Sequence, residues 1–197
     1  QGKTYVFVDI SGSMQAPVTG YRNGSTSAVR CVDVAALVAA AVLRKNPDAE
    51  VIPFHDQVVR TRLNSRDTVM TNAEKLARLP SGGTDCSAPM AELNRRKAAA
   101  DTVIYVLDNE SWIDTSPGSW RNGTRTMREW AQVKARSPKA RMVCIDIQPY
   151  GSTQAPDRSD ILNIGGFSDA VFTVISRFTQ SDSGAQHWVD LINEQSI

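Results

Sequence analysis

Asp9, Ser11 and Ser13 place three small oxygen-bearing side chains at i, i+2 and i+4, directly after the apolar run Tyr5-Val6-Phe7-Val8. No thiol or imidazole lies among them. Mg²⁺ and other hard cations favour all-oxygen ligand sets of this kind. Gly12, between the two serines, lets the backbone turn tightly. The same residues would also serve as a plain turn capping a strand, since Asp, Ser and Gly are the usual turn formers. Two further stretches bear on the choice. Ser81-Gly82-Gly83-Thr84-Asp85-Cys86-Ser87 is a polar, glycine-hinged loop, and Asp108-Asn109-Glu110-Ser111 follows a second apolar run, TVIYVL, at residues 102–107.

These side chains can meet only if the elements carrying them are neighbours. Short apolar runs rich in β-branched and aromatic residues predict strands at 5–8, 51–54, 102–107 and 142–147, with a shorter one at 171–174. Val58, Val59 and Thr61 follow the second strand after only His55-Asp56-Gln57, which predicts an antiparallel hairpin partner. Between the strands, apolar periodicity and capping signals predict helices from Ser25, Thr26 or Ser27 to about Lys45, then over 68–79, 88–99 and 124–136. Another begins near 175–178, and a short last one covers 186–193.

Alternating strands and helices predict an α/β fold: a doubly wound, mostly parallel six-stranded sheet with one antiparallel edge strand and helices on both faces. Ligands in such sheets bind beyond the carboxyl ends of the strands, where strand order reverses. In the common order 3-2-1-4-5-6, the strands ending at Asp9 and Asp108 are neighbours at that point. Asp9, Ser11, Ser13, Thr84 and Asp108 would then converge on one crevice, which favours the cation over the turn.

Asp9-x-Ser11-Gly12-Ser13, Gly82-Gly83-Thr84-Asp85 and Asp108-Asn109-Glu110, in that order and spacing, resemble the metal-ion-dependent adhesion site of von Willebrand factor A (vWA) domains. Almost the whole of residues 4–178 fits that Rossmann-like fold. More narrowly, GGTDCSAPM at 82–90, LDNESW at 107–112 and GGFSD at 165–169 resemble the carboxy-terminal A domain of the Ro/TROVE ribonucleoproteins. The resemblance implies Ser11 and Ser13 as direct hydroxyl ligands of Mg²⁺, Mn²⁺ or Ca²⁺, with Thr84 a third and Asp9 and Asp108 acting directly or through water. Asp85, Asn109 and Glu110 would surround that set, Asp85 either orienting a serine or water or capping the following helix. The implied partner is a protein donating an Asp or Glu carboxylate to the ion. RNA is held, in Ro proteins, chiefly by a preceding ring of helical repeats that this sequence does not contain.

Tyr21 and Arg22 in one loop, and Trp112 and Trp120 in another, are candidates for a partner-binding rim, Trp being enriched among interface hot spots. Packing down onto the fold is the alternative for each. The enzyme reading, Mg²⁺-dependent phosphoryl transfer on Asp9, lacks the second acid two residues on, where Ser11 stands, and no nucleophile–base pair is apparent. Direct RNA binding would need Arg60, Arg62 and Arg66 to line up with other basic residues on one face.

Composition sets the remaining bounds. The 197 residues carry a net charge of +1, with 41% hydrophobic and 22% charged residues, which is globular and gives no bulk attraction for polyanions. They are expected to form one domain over 1–197, with 179–197 as a linker and short helix, and to be monomeric. Gln1 is not a start residue, so a longer parent chain is expected. Three cysteines at unrelated spacings form neither a disulfide framework nor a zinc signature. No run spans a bilayer, and the expected compartment is the cytoplasm.

Overall fold

The computed structural model describes residues 3–21, 27–108, 125–148, 158–168 and 170–180. Its centre is a five-stranded sheet of β1 (Thr4–Asp9), β2 (Glu50–Phe54), β3 (Thr102–Leu107), β4 (Arg141–Asp146) and β5 (Ile161–Gly165), in the order β2-β1-β3-β4-β5. All four pairings are parallel. Helices α1 (Cys31–Lys45), α2 (Val69–Ala77), α3 (Ala88–Arg95), α4 (Arg125–Arg136) and α5 (Ala170–Gln180) connect and cover it. Side-chain alternation divides the core. Val6, Val8, Ile104, Val106, Val143 and Ile145 face α1, α2 and α5, whereas Tyr5, Phe7, Val103, Tyr105, Met142 and Cys144 face α3 and α4. Burial on both faces explains why β1 and β3 read as continuous apolar runs.

The expected sixth, antiparallel strand reduces to one bridge, Phe54 to Val58, so the described sheet is parallel throughout. Pro53 supplies the reason. The Val59 N–H reaches the Pro53 carbonyl at 2.8 Å, but proline has no N–H to return the bond, and the ladder stops.

The segment at 171–174 is helix, not strand, and the last strand lies earlier, at Ile161–Gly165. Val171, Ile175 and Phe178 recur at i, i+4 and i+7 and bury one face of α5, a helical period that outweighs the local β propensity. The first helix begins at Cys31 rather than near Ser25, capped by Arg30 and Asp33, because the Ser27 hydroxyl is already used to accept from the Val29 N–H. Helix α3 stops at Arg95, where Lys97 takes a left-handed φ of 52°. The N–H groups of Lys97 and Ala98 then bond back to Asn94 and Leu93, as in a Schellman cap. Of residues 179–197, those beyond 180 lie outside the described residues. Among the described residues no helix is long and apolar enough to cross a membrane.

Candidate metal centre

The site is built at the carboxyl edge of β1 and β3, the point where the chain switches from one side of the sheet to the other. Val8 pairs with Val106, so Asp9 and Asp108 leave adjacent strands one residue out of step. Both carboxylates are buried, with Asp9 at 0% and Asp108 at 4% exposure. A buried carboxylate is costly unless it is hydrogen-bonded or paired with a cation.

The loop after Asp9 is fixed by its own backbone. Asp9 Oδ1 accepts from the Ser11 N–H at 2.7 Å. Ser13 opens a single 3₁₀ turn, Ser13–Gln15, that drives Met14 into the core at 0% exposure. Ala16 then accepts from the Cys31 N–H at 3.0 Å, and Gln15 accepts from Arg30 at 2.7 Å, tying the loop to the start of α1. This folding leaves the Ser11 and Ser13 hydroxyl oxygens 3.2 Å apart. Adjacent vertices of an Mg²⁺ octahedron with 2.1 Å bonds lie about 3.0 Å apart, so the pair has the spacing of two neighbouring ligands.

Thr84 is brought in by backbone pins on either side of it. The Gly12 N–H donates to the Gly82 carbonyl at 3.0 Å, and the Asp85 N–H donates to the His55 carbonyl at 2.9 Å. Gly82 lies against the His55 ring so closely that an added Cβ would come within 2.7 Å of Nδ1. Thr84 itself is exposed between these pins. The 82–85 loop is therefore clamped between the Asp9–Ser13 loop and the end of β2, where the Ile10 N–H donates to Phe54 at 2.8 Å.

Asp85 does not reach back to the serines of the first loop. Its Oδ1 accepts from the Ser87 N–H at 2.9 Å and from the Ser87 hydroxyl at 2.6 Å, and its Oδ2 pairs with Arg125 at 3.2 Å. It thus shapes the turn into α3. Tyr21 stands 83% exposed on the loop beyond Ser13. Arg22, Asn109, Glu110, Trp112 and Trp120 lie outside the described residues.

Two neighbours escaped the sequence reading. Cys31, at the first turn of α1, is pushed up to about 11 by burial and then by the Asp108 charge, which places thiol and carboxylate in electrostatic reach. Asp146 ends β4 in register with Leu107, a third buried carboxylate along the same sheet edge. Its signal was present in sequence, since β4 is a third apolar run that ends in Asp. Burial, then the Asp146 charge, raises the Cys144 thiol. Among the described residues, no three His, Cys, Asp or Glu side chains gather closely enough to hold a metal by themselves. Any cation here would depend on the hydroxyls of Ser11, Ser13 and Thr84, a donor set suited to Mg²⁺, Mn²⁺ or Ca²⁺ rather than Zn²⁺.

A parallel sheet in this order, with Asp-x-Ser-x-Ser after its central strand and a Gly-Gly-Thr-Asp loop hydrogen-bonded beside it, is the architecture of a vWA domain. A family model described as the Ro60 vWA domain matches residues 3–179, and the chain belongs to that family. The RNA-binding protein RO60 of Deinococcus radiodurans is 28% identical over 175 residues, covering 89% of this chain and 31% of the relative's length. The crystal structure of the Deinococcus radiodurans RO (RSR) protein superposes with a TM-score of 0.71 at 23% identity, covering 92% of this chain and 35% of that one. The chain thus spans about a third of the length of the relative it matches.

Proposed function

We propose that this domain is a divalent-cation-dependent protein-interaction module of a Ro-like RNA-binding protein. The observation that carries this reading is the 3.2 Å spacing of the Ser11 and Ser13 hydroxyls beside the buried carboxylates of Asp9 and Asp108. In it, Ser11, Ser13 and Thr84 supply neutral oxygens, and Asp9 and Asp108 supply negative charge directly or through water. A bound Mg²⁺, Mn²⁺ or Ca²⁺ supplies a hard, incompletely neutralised charge that attracts an Asp or Glu carboxylate of a protein partner. The hydrogen bonds that clamp the 82–85 loop hold the hydroxyls in place before binding, which lowers the ordering cost. Tyr21 and Arg22, with Trp112 and Trp120, form the recognition rim. The Deinococcus relative is an RNA-binding protein, and in this reading RNA binding belongs chiefly to parts of the parent protein outside the present chain.

A binding role is favoured over phosphoryl transfer because the position two residues after Asp9 carries Ser11 rather than a second acid. The test is capture of partners from a native extract on the immobilised domain, with and without EDTA, repeated with Ser11→Ala and Tyr21→Ala. Partners should be lost under chelation and with Ser11→Ala, and weakened by Tyr21→Ala without loss of metal affinity. Equal retention under chelation would place recognition elsewhere on the domain.

A further inference from the structure

The segment after β2 holds three arginines that the cation site does not use. Residues 58–64 leave the single Phe54–Val58 bridge at the end of β2, and burial alternates along them. Val59 and Leu63 pack into the core, whereas Arg60, Arg62 and Asn64 point to solvent, followed by exposed Arg66 on the turn that ends the run. Among the described residues none of these three guanidiniums makes an ion pair or a hydrogen bond. Nearby acids are already engaged. Glu92, within electrostatic reach of Arg60, is held by Arg95 at 2.7 and 2.8 Å, Asp67 by Lys75 at 2.8 Å, and Glu50 by Arg96 at 2.7 Å.

The far end of the segment is pinned by side chains of α1 and α2. Asn72, buried at 1% on α2, donates to the Asn64 carbonyl at 2.7 Å and accepts from the Asn64 N–H at 3.3 Å. Arg44 holds the Ser65 carbonyl at 3.1 Å. Arg60 and Arg62 are alternate residues, which lie about 6.7 Å apart in an extended run. A stacked nucleic-acid strand carries a phosphate about every 3.4 Å, so each guanidinium has its own phosphate to meet. The residue type also fits, because the planar guanidinium donates two parallel hydrogen bonds to a phosphate group.

The geometry points to a second binding site on this segment, formed by Arg60, Arg62 and Arg66, that takes the phosphodiester backbone of single-stranded RNA without reading its sequence. It is separate from the cation site and needs no metal.

The test is a fluorescence-anisotropy titration of the 197-residue chain with a labelled oligouridylate, in EDTA, at several salt concentrations. Three phosphate contacts give a log–log slope of about −2, or roughly a 20-fold loss of affinity between 50 and 200 mM salt. Arg60→Gln/Arg62→Gln/Arg66→Gln should flatten that dependence to about twofold or less, with an unchanged circular dichroism melt. Arg62→Glu alone should weaken binding in the same direction. Arg78→Gln, on a guanidinium already paired with Glu74, should change nothing. No binding at 50 mM salt, or a slope the triple variant leaves intact, would overturn the proposal. So would displacement by polyglutamate at the same charge concentration as RNA, which would make an acidic protein the partner.

Discussion

Gly82→Ala isolates the contact on which placement of Thr84 depends. An alanine Cβ there would lie 2.7 Å from His55 Nδ1 and 2.9 Å from its Cγ, roughly 0.7 Å inside the ~3.5 Å of a relaxed contact. The overlap reaches the root of the ring, so swinging the ring tip does not relieve it. His55 is only 9% exposed, and its ring contacts the Asp56 carboxylate. Either His55 changes rotamer or the 82–85 loop lifts, and the second route breaks the 3.0 Å bond from the Gly12 N–H to Gly82. Overpacking of one methyl costs about 1–3 kcal/mol, and the lost hydrogen bond about 1 kcal/mol more. With a urea m-value of about 2 kcal/mol/M, the midpoint should fall by about 1–2 M. Mg²⁺ affinity should fall with it, by about 10–100-fold, the usual effect of losing a supporting contact. Gly83→Ala is the control. Its Cβ would meet Asp56 at an ordinary 3.6 Å, so the midpoint should hold or rise by the equivalent of up to about 1 kcal/mol. A Gly82→Ala midpoint no lower than that of Gly83→Ala would refute the clamp.

Three other outcomes follow from local geometry. Lys97→Gly should stabilise the fold by about 0.5–1 kcal/mol in chemical denaturation, because the left-handed φ of 52° that caps α3 disfavours a side chain; a destabilised variant would contradict this. The side-chain bond from Arg30 holds the Asp33 carboxyl below its usual range. That contribution is present above the unfolded pKa of about 4 and is lost as the pH falls through the folded value. Asp33→Asn should therefore cost up to about 1 kcal/mol at pH 7, limited by the pair's exposure, and almost nothing near pH 2; an equal loss at both pH values would exclude the ion pair as its source. Cys31, Cys86 and Cys144 are buried, and the Cys31 thiol sits near 11, so native protein at pH 8 should resist iodoacetamide until urea exposes all three. Rapid stoichiometric labelling of the native chain would refute that assignment.

The parts of the fold that sequence displayed are those where local and tertiary preferences agree. Residues 5–8 and 102–107 are covered on both faces, so their apolar runs had one interpretation, and the carboxylates that end them marked the switch point. Thr68 accepts from the Thr71 N–H at 3.0 Å as a plain helix cap, and α2 lies where its cap put it. The misreadings arose where a few residues carried two signals. Residues 171–174 are β-branched and aromatic in isolation, and only the spacing through Ile175 and Phe178 shows the helix. Ile161–Gly165 is interrupted by Asn163 and ends in glycine, and so lacked a clean strand pattern. Pro53 gave notice that the edge would not extend, although its effect depends on which way its missing N–H faces. At the site, the Asp-x-Ser-x-Ser and Gly-Gly-Thr-Asp loops were legible as motifs. The clamp from His55 was not, because no sequence pattern links residue 55 to residue 82. Asp85 could serve either the site or the following helix, and the position of Ser87 two residues on gives its carboxylate a closer partner.

The most direct test of the central claim is a calorimetric titration of Mg²⁺, and of Mn²⁺ in parallel, into the wild-type chain and Asp9→Ala. The site at Asp9, Ser11, Ser13, Thr84 and Asp108 predicts one ion per wild-type chain. It also predicts loss of that binding in Asp9→Ala, with the far-ultraviolet circular dichroism spectrum unchanged. Equal affinity in the two proteins would contradict it.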